Sequence, residues 1–559
     1  MNKKWEYCNI NTKEVEEIKS KYNVSELIAT VISNKNLTTS VDVFLNPTRN
    51  DFYDPFLMPD MEIAVNRVMK AIENKEKVII YGDYDVDGIT SITVLKKFLK
   101  ERGLDVGSYI PNRLDEGYGL NKNAIDKIAN EKYTLMITVD CGISCVDEID
   151  YATSLGIETL VTDHHEPAET LPNAIAVVDA KRKDNQYPYN QLAGVGVVFK
   201  LIQAISIKYN LDEKEYLKYL DLVCVGTISD IVPLVDENRV ISKLGLKLVA
   251  VTRNVGLRAL IESIGAKNID SSLISFGIAP RINACGRLGY EQEALNLFFT
   301  ENIVEAQEIA KRLNNYNSER QQKEIKIYNE AIEMIENGEK SSSCLILGHK
   351  DWHHGVIGIV SSKVTEMYYK PSILIGFEDG IGKGSGRSIH GFDLHEALSK
   401  CQDHIERFGG HSMAIGITVN ETEFPEFKAE VEKYVEDAHI EDLVPIIKID
   451  KEINDTDIKL ETVNQLKMLE PFGESNKMPI FIYKNLKIDS IRALSEGKHI
   501  KLTLRDKNIV IDAIGFNMGK LVDEYLLGDR IDVVGSLEVN KYNGRESIQI
   551  NLKDIRKSY

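Results

Sequence analysis

Five short apolar runs, at 77–82, 106–110, 134–139, 157–162 and 175–179, are mostly separated by segments of helical spacing, around 89–102, 121–130 and 145–155. Runs this uniformly apolar offer no polar face to water, so each predicts a strand buried on both sides. Alternation with helices makes the sheet parallel and the fold class α/β. In such a sheet ligands collect beyond the carboxyl ends of the strands. The sequence VIIYGDYDVDGI (78–89) puts Asp83, Asp85 and Asp87 there, LMITVD (135–140) adds Asp140, and TLVTDHH (159–165) adds Asp163, His164 and His165.

Three aspartates at alternate positions repel one another unless a multivalent cation sits among them. In a strand they would point one way; in the tight loop signalled by Gly82 and Gly88 they would wrap an ion. A calcium loop of the EF-hand type fits poorly, because position twelve from Asp83 is Val94 and a strand precedes the loop. Asp140 alone reads equally as a cap of the following turn. The paired histidines are more specific, since each carries two ring nitrogens that need partners and an apolar core supplies none. LVCVGTISDIVPL (222–234) repeats the pattern of an apolar stretch ending in a carboxylate, Asp230, with Asp221 and Asp236 as competitors. Several carboxylates with one or two imidazoles suit Mn2+ or Mg2+. Two such ions would favour phosphate ester hydrolysis, whereas a zinc peptidase would need the absent HExxH motif.

The chain has 559 residues, enough for about three to four domains. Its net charge of -18 argues against wholesale coating of nucleic acid or anionic membrane, while leaving room for a local basic groove. No apolar stretch approaches the roughly 20 residues needed to span a bilayer. The N-terminus has no apolar core of a signal peptide, and the 7 dispersed cysteines form no CxxC or zinc-knuckle spacing. A reducing cytoplasm is the expected location. Residues 302–337 predict one long helix, a connector to a second α/β unit that starts at CLILGH (344–349). From about 446 the pattern turns to five short strands with an Asn543-Gly544 hairpin signal, which predicts a small barrel.

A polyanionic substrate meeting an acidic nest needs fixed cations, and arginine's planar fork fits phosphate best. Candidates within glycine-rich turns are Arg113, Arg281, Arg287 and Arg387, with Ser388 beside the last. His353 in WHHGVIGI and Gly409, Gly410 and His411 in GGHSMAIG offer further phosphate or base contacts. KGSGRS (383–388) lacks the Walker A order, so ATP-driven chemistry has little support. In the barrel, Lys498, Lys501, Arg505, Tyr542 and Arg545 are candidate DNA contacts, and Phe481 and Phe516 read equally as stacking platforms or core.

YGDYDVDG, TVDCG, TDHH, GTISD, PRINACGR, WHHGVIGIV, GRSI and GGHSMAIG occur in one order along most of the chain. Together they resemble the RecJ-type single-strand-specific 5′→3′ DNA exonucleases of the DHH/DHHA1 phosphoesterase family. The resemblance implies a parallel-sheet DHH domain joined by a long helix to a smaller α/β DHHA1 domain, then an oligonucleotide-binding (OB) barrel. Expected bounds are an N-terminal extension packing on the catalytic core (1–60), DHH (61–300), connecting helix (301–340), DHHA1 (341–440) and barrel (446–559). It implies two divalent cations, Mn2+ or Mg2+, held by Asp85, Asp87, Asp140, His164 and Asp230, with Asp83 in or beside that shell. His165 would contact the scissile phosphate; Arg281, Arg387 and His411 would position substrate. Expected partners are single-stranded DNA, a single-strand-binding protein and a DNA helicase, with no membrane, for a monomer acting in DNA repair and recombination. Two departures stand out: Tyr81 where the family often has histidine, and PFGESNKMP (471–479) where it has PFGxGNPxP. Competing readings are a phosphodiesterase for short oligonucleotides or cyclic dinucleotides, and a catalytically inactive single-strand-binding scaffold.

Overall fold

The computed structural model describes residues 3–113, 115–507, 509–542 and 544–558. Two compact units divide the chain: Tyr53–Val232 with Leu244–Val444, and the remaining described residues. The first strand, β1 (Lys4–Tyr7), belongs to the second of these.

In the first unit, β2 (Lys77–Gly82), β3 (Asp105–Tyr109), β4 (Leu135–Val139), β5 (Glu158–Thr162) and β6 (Ala176–Val178) form a parallel sheet in the order β3-β2-β4-β5-β6. All five residues of β4 are buried, as a strand covered on both faces requires. The strand order reverses between β2 and β4, and the crevice beyond their carboxyl ends is where such sheets bind ligands. Asp83 to Asp87 follow β2 and Asp140 follows β4, so both flank that switch point.

The aspartates do not continue the strand. Asp85 caps the helix Val86–Lys100, with Oδ1 accepting from the Gly88 amide at 3.0 Å, and Asp87 lies in its first turn. A Cβ at Gly88 would stand 2.3 Å from the Asp83 carbonyl oxygen, so only glycine allows the turn to close this tightly. The apolar stretch before Asp230 is likewise a buried helix, Leu220–Ser229, with Asp230 at its C-cap.

The long helix runs Ile303–Met334 and continues as a π turn, Ile335–Glu339. Beyond it lie β7 (Leu345–His349), β8 (Ser372–Glu378), β9 (Ile381–Arg387), β10 (Arg407–His411) and β11 (Ala414–Asn420), in the order β10-β11-β9-β8-β7. Two local expectations change here. The segment up to Arg387 is strand β9 instead of a turn, and its glycines serve packing: a Cβ at Gly384 would meet Ile375 and Ile417 at 2.7 Å. Arg281 and Arg287 also leave their expected turn for the helix Ala279–Leu288.

The second unit holds the barrel. Its strands β13 (Lys451–Glu452), β14 (Phe481–Leu494), β15 (His499–Arg505), β16 (Val510–Gly515), β17 (Arg530–Tyr542) and β18 (Arg545–Lys557) run in the order β13-β14-β15-β16-β18-β17, closed by β14 on β17. This is an OB-type barrel. Register shifts at Ile488/Ser490 and Val534/Gly535 bend single strands around its corners, which makes them longer than the sequence predicts. The hairpin signal at Asn543 falls outside the described residues.

Residues 1–60 read from sequence as an extension on the catalytic core. The described residues up to Phe52 instead belong to the barrel's unit. There β1 pairs in parallel with β12 (Ile446–Ile449), and Leu27, Ile28 and Phe44 share one core with Leu502 and Val533. The departing segment 471–479 is held in place. Asn476 is fully buried and donates to the carbonyls of Leu469 and Pro471 at 2.9 and 2.7 Å, while Ser475 takes the left-handed conformation that glycine would favour.

Candidate active site

The carboxyl ends of β2, β4 and β5 and the C-cap of Leu220–Ser229 bring their acidic and imidazole groups together. Ligand atoms within 4.8 Å of one another form the sets Asp83–Asp85–Asp140, Asp87–His164–Asp230 and Asp140–His164–His165. His164 Nε2 lies 3.1 Å from Asp140, 3.6 Å from Asp230 and 3.9 Å from Asp87, yet it makes no hydrogen bond, and neither does Asp83 Oδ1, although both are buried. Lone pairs that converge on one space without a proton between them fit a cation. Hard oxygens dominate the donor set, which selects Mn2+ or Mg2+ over softer metals.

The scaffold fixes this geometry. The amides of Gly194 and Val195, at the start of the helix Gly194–Lys208, donate to the two Asp87 oxygens at 2.6 and 2.8 Å. A Cβ at Gly194 would lie 2.7 Å from that of Asp140, so glycine lets the helix end and the second carboxylate approach together. Burial, then the charges of neighbouring aspartates, raise the carboxyls of Asp83, Asp140 and Asp230, and push Asp87 up to about 7. Burial, with the charge of His165, pushes His164 down to about 3, keeping its imidazole neutral and able to ligate. A divalent cation would reverse the carboxylate shifts, because it removes the repulsion that causes them.

His165 is held differently. Its Nδ1 lies 2.7 Å from Asp163 Oδ1, and the amides of Ile143, His164 and His165 also donate to the buried Asp163 carboxylate. Burial opposes the imidazolium, but the Asp163 hydrogen bond and the surrounding carboxylates outweigh it and raise the pKa. Nε2 is left for a ligand. Asp163 was visible in TDHH as part of the cluster, but its role as an acceptor for backbone and ring N–H groups depends on a turn the sequence does not specify. Tyr118, whose hydroxyl lies 3.2 Å from both the Asp140 carbonyl and His165 Nδ1, had no sequence signal beyond its place in DEGYG. Asn283 is a further residue not expected: its Oδ1 accepts from the Val86 amide at 3.2 Å and ties the helix Ala279–Leu288 to the loop that carries Asp83 and Asp85. Tyr81 is outside the cluster, fully buried, with its hydroxyl donating to the Gly119 carbonyl at 3.0 Å.

Next to the carboxylates stands a group of guanidinium ions. Arg113 lies over the Tyr84 ring at 5.0 Å and Arg287 donates to the Gly355 carbonyl at 2.8 Å. Arg387 donates to Ser385 Oγ and the Gly386 carbonyl at 2.8 and 2.7 Å. Burial and then the charges of Arg113 and Arg320 push Arg287 down to about 9. A guanidinium stays charged, so the shift registers like charges buried together, a cost that a bound anion would remove. Arg320, on the long helix, was not expected here. Arg281 donates to Asn314 Oδ1 and the Gly277 carbonyl at 2.5 and 2.7 Å. Ser388 does not join the arginines: it is buried, and its hydroxyl donates to the Phe392 carbonyl at 2.7 Å.

His353 caps the helix His354–Tyr368 through its Nδ1. Gly409, Gly410 and His411 lie exposed on β10, the edge strand of its sheet. In the barrel, Lys498 and Arg545 are exposed, Lys501 pairs with Asp512 at 2.7 Å, and Arg505 pairs with Asp489. Phe481 is core; Phe516 is 52% exposed and meets His499 edge-on, so only the second can stack on a base. The side chain of Tyr542 lies outside the described residues.

Comparison with known proteins agrees along the chain. The DHH family N-terminal domain matches residues 77–227, the DHHA1 domain 341–437 and the RecJ OB domain 449–554. The single-stranded-DNA-specific exonuclease RecJ of Bacillus subtilis (strain 168) is 37% identical over 559 residues, covering 99% of this chain and 70% of the relative. That of Haemophilus influenzae is 33% identical over 531 residues, covering 90% and 92%. The crystal structure of RecJ in complex with Mn2+ from Thermus thermophilus superposes with a TM-score of 0.87 at 29% identity, covering 100% of this chain and 80% of that one. The Mg2+ complex from the same organism gives a TM-score of 0.82 at 27% identity, covering 100% and 79%. With the fold, the acidic and imidazole cluster and three domain matches in agreement, the chain belongs to the RecJ family of the DHH/DHHA1 phosphoesterases.

Proposed function

We propose that the protein is a metal-dependent exonuclease that hydrolyses single-stranded DNA from the 5′ end, releasing 5′-mononucleotides in DNA repair and recombination. The observation that carries this reading is the convergence of buried carboxylates on the unpartnered Nε2 of His164. Its support among relatives is the single-strand-specific exonucleases named above. Two cations are assigned, one to Asp83, Asp85 and Asp140, the other to Asp87, His164 and Asp230, with Asp140 facing both. Bound there, divalent ions would supply Lewis acidity at the phosphoryl group and lower the pKa of a bound water.

The chain's own residues do the remaining work. Asp163 fixes the His165 ring, so that the imidazolium Nε2–H is aimed at a phosphate oxygen and stabilises charge as it develops. Arg113, Arg287 and Arg387 hold phosphate, and the Gly409–His411 edge offers backbone and imidazole contacts to the nucleotide. The barrel gathers single strands through Phe516, Lys498 and Arg545. We further assign the bounds 61–300, 301–340, 341–440 and 446–559 to the DHH, connecting, DHHA1 and OB parts. The expected setting is cytoplasmic; no helix among the described residues is long and apolar enough to cross a membrane. A single-strand-binding protein and a helicase are the expected protein partners of a monomer.

A phosphodiesterase for cyclic dinucleotides or short oligonucleotides would have no use for an OB barrel, and an inactive scaffold no use for a full ligand set. Digestion of 5′- and 3′-labelled oligonucleotides tests the reading, with duplex, RNA and cyclic-dinucleotide controls. Mn2+-dependent release of 5′-labelled mononucleotide from single strands is expected. Turnover confined to cyclic dinucleotides, or none in either metal, would overturn it.

A further inference from the structure

Beyond the arginine cluster lies a second basic feature that the reaction above does not use. A groove of about 900 Å³ is lined by Arg113, Lys323, Lys326, Lys350 and Lys383. Its acidic lining is Asp115, Asp351 and Glu378, so cations outnumber anions on a chain whose net charge is -18. A cleft with an excess of positive groups in a protein of negative net charge concentrates small anions. Some of the ammonium groups have partners: Lys350 meets Glu421 at 3.0 Å, Lys323 meets Glu319 at 3.5 Å and Lys326 meets Glu330 at 3.9 Å. Lys383 is exposed with no carboxylate within 4.0 Å among the described residues.

Two contacts join this groove to the arginines. Arg113 belongs to both, and its charge acts on Asp83 of the metal cluster. Gly355 lines the groove, and its carbonyl accepts from Arg287. The groove therefore begins where the phosphate-holding arginines end.

Its lining also says what it would hold. The aromatic rings, Trp352 and Phe377, are 2% and 7% exposed, and the Trp352 indole N–H is already bound to Glu330 at 2.9 Å. No face is offered for a base to stack on, whereas single strands are gripped largely through stacking. Exposed carboxylates share the lining, but the ammonium and imidazole groups outnumber them, and these recognise phosphate oxygens.

We propose that this groove accepts the additional phosphates of a 5′-polyphosphorylated strand, beyond the terminal α-phosphate held by the arginine cluster. The inference rests on the 5′-end reading of the active site. The bond cleaved is unchanged: one water adds across the P–O3′ bond between the first two nucleotides. The strand keeps a 5′-phosphate, and the released nucleotide keeps its 3′-hydroxyl and leaves as a nucleoside triphosphate instead of a monophosphate.

The test uses the full chain with Mn2+ and one oligonucleotide sequence carrying a 5′-monophosphate or a 5′-triphosphate. The KM for the first cut and the mass of the released nucleotide are read together, with metal-free anisotropy as a measure of binding alone. KM should be about tenfold lower for the triphosphate, equivalent to about 1.4 kcal/mol. The combined substitution Lys323→Ala, Lys350→Ala and Lys383→Ala should abolish that preference and leave monophosphate turnover unchanged. Equal KM and equal affinity for the two ends in the unsubstituted protein would overturn the proposal. So would a preference that survives the three substitutions. A triphosphate preference in binding without cleavage of either strand would uphold the groove and sink the exonuclease reading instead.

Discussion

At the scale of single residues, the site separates groups whose free ligand atoms converge on one another from groups that fix their neighbours in place. Asp163 is a positioning residue. It spends its oxygens on three backbone amides and the His165 ring, and so maintains both the orientation and the raised pKa of that imidazole. Asp163→Asn should lower kcat about a hundredfold, the low end of general acid–base contributions, with KM for single strands little changed. Because the carboxylate raises the His165 pKa, its loss should move the alkaline limb of the pH–rate profile to lower pH. A profile that keeps its shape would assign Asp163 a purely structural role. His164 and His165 were both legible as functional from their adjacency. Their division of labour came only from the family resemblance, since in the chain itself it follows from which ring nitrogen finds Asp163 and which faces Asp140, and a turn decides that.

At the scale of elements, the parallel sheet was readable because its strands are buried on both faces and so carry no polar alternation. The apolar run before Asp230 did not by itself name its element. An aspartate after an apolar run looks the same whether the run is strand or buried helix, and Leu220–Ser229 is the helix. The amino ends of the same strands carry stability instead of chemistry. Arg67, on the buried face of the helix Met61–Glu73, bonds Glu76 at 2.6 Å and Glu158 at 2.7 Å, next to the starts of β2 and β5. Burial alone would raise the Glu76 carboxyl, but the guanidinium reverses this and the pKa is lowered. A lowered carboxyl contributes stability above its unfolded pKa, near 4.5, and loses it as pH falls through the folded value. Glu76→Gln should therefore cost about 1 kcal/mol at pH 7. The difference from the parent should vanish in acid, in thermal melts followed between about pH 7 and pH 3. A deficit that persists in acid would mean the pair contributes packing and not charge.

At the scale of the whole molecule, the non-local part of the fold was the hardest to read. Nothing in residues 3–52 announces that they share a core with strands that begin at Phe481, because each segment shows only its own apolar face. The clearest tie is Arg239. It is 1% exposed, stands 3.8 Å over the Phe44 ring, and donates to the carbonyls of Phe44 and Glu470 at 2.7 and 3.0 Å. Three separate stretches of chain meet on this one guanidinium. Arg239→Met should destabilise the barrel's unit by about 3 kcal/mol, since several buried carbonyls lose their donor at once. Urea unfolding followed by Trp5 fluorescence would measure it; a loss below about 0.5 kcal/mol would show that apolar packing alone holds these stretches.

The proposed hydrolysis requires divalent cations seated among Asp83, Asp85, Asp87, Asp140, His164 and Asp230. Calorimetric titration of the apo protein with Mn2+, run in parallel on Asp140→Ala, addresses that directly. The parent should bind two ions per chain and release protons as the raised carboxyls ionise, while Asp140→Ala, stripped of the carboxylate that faces both sites, should lose at least one of the two. Titration curves that coincide for the two proteins would contradict it.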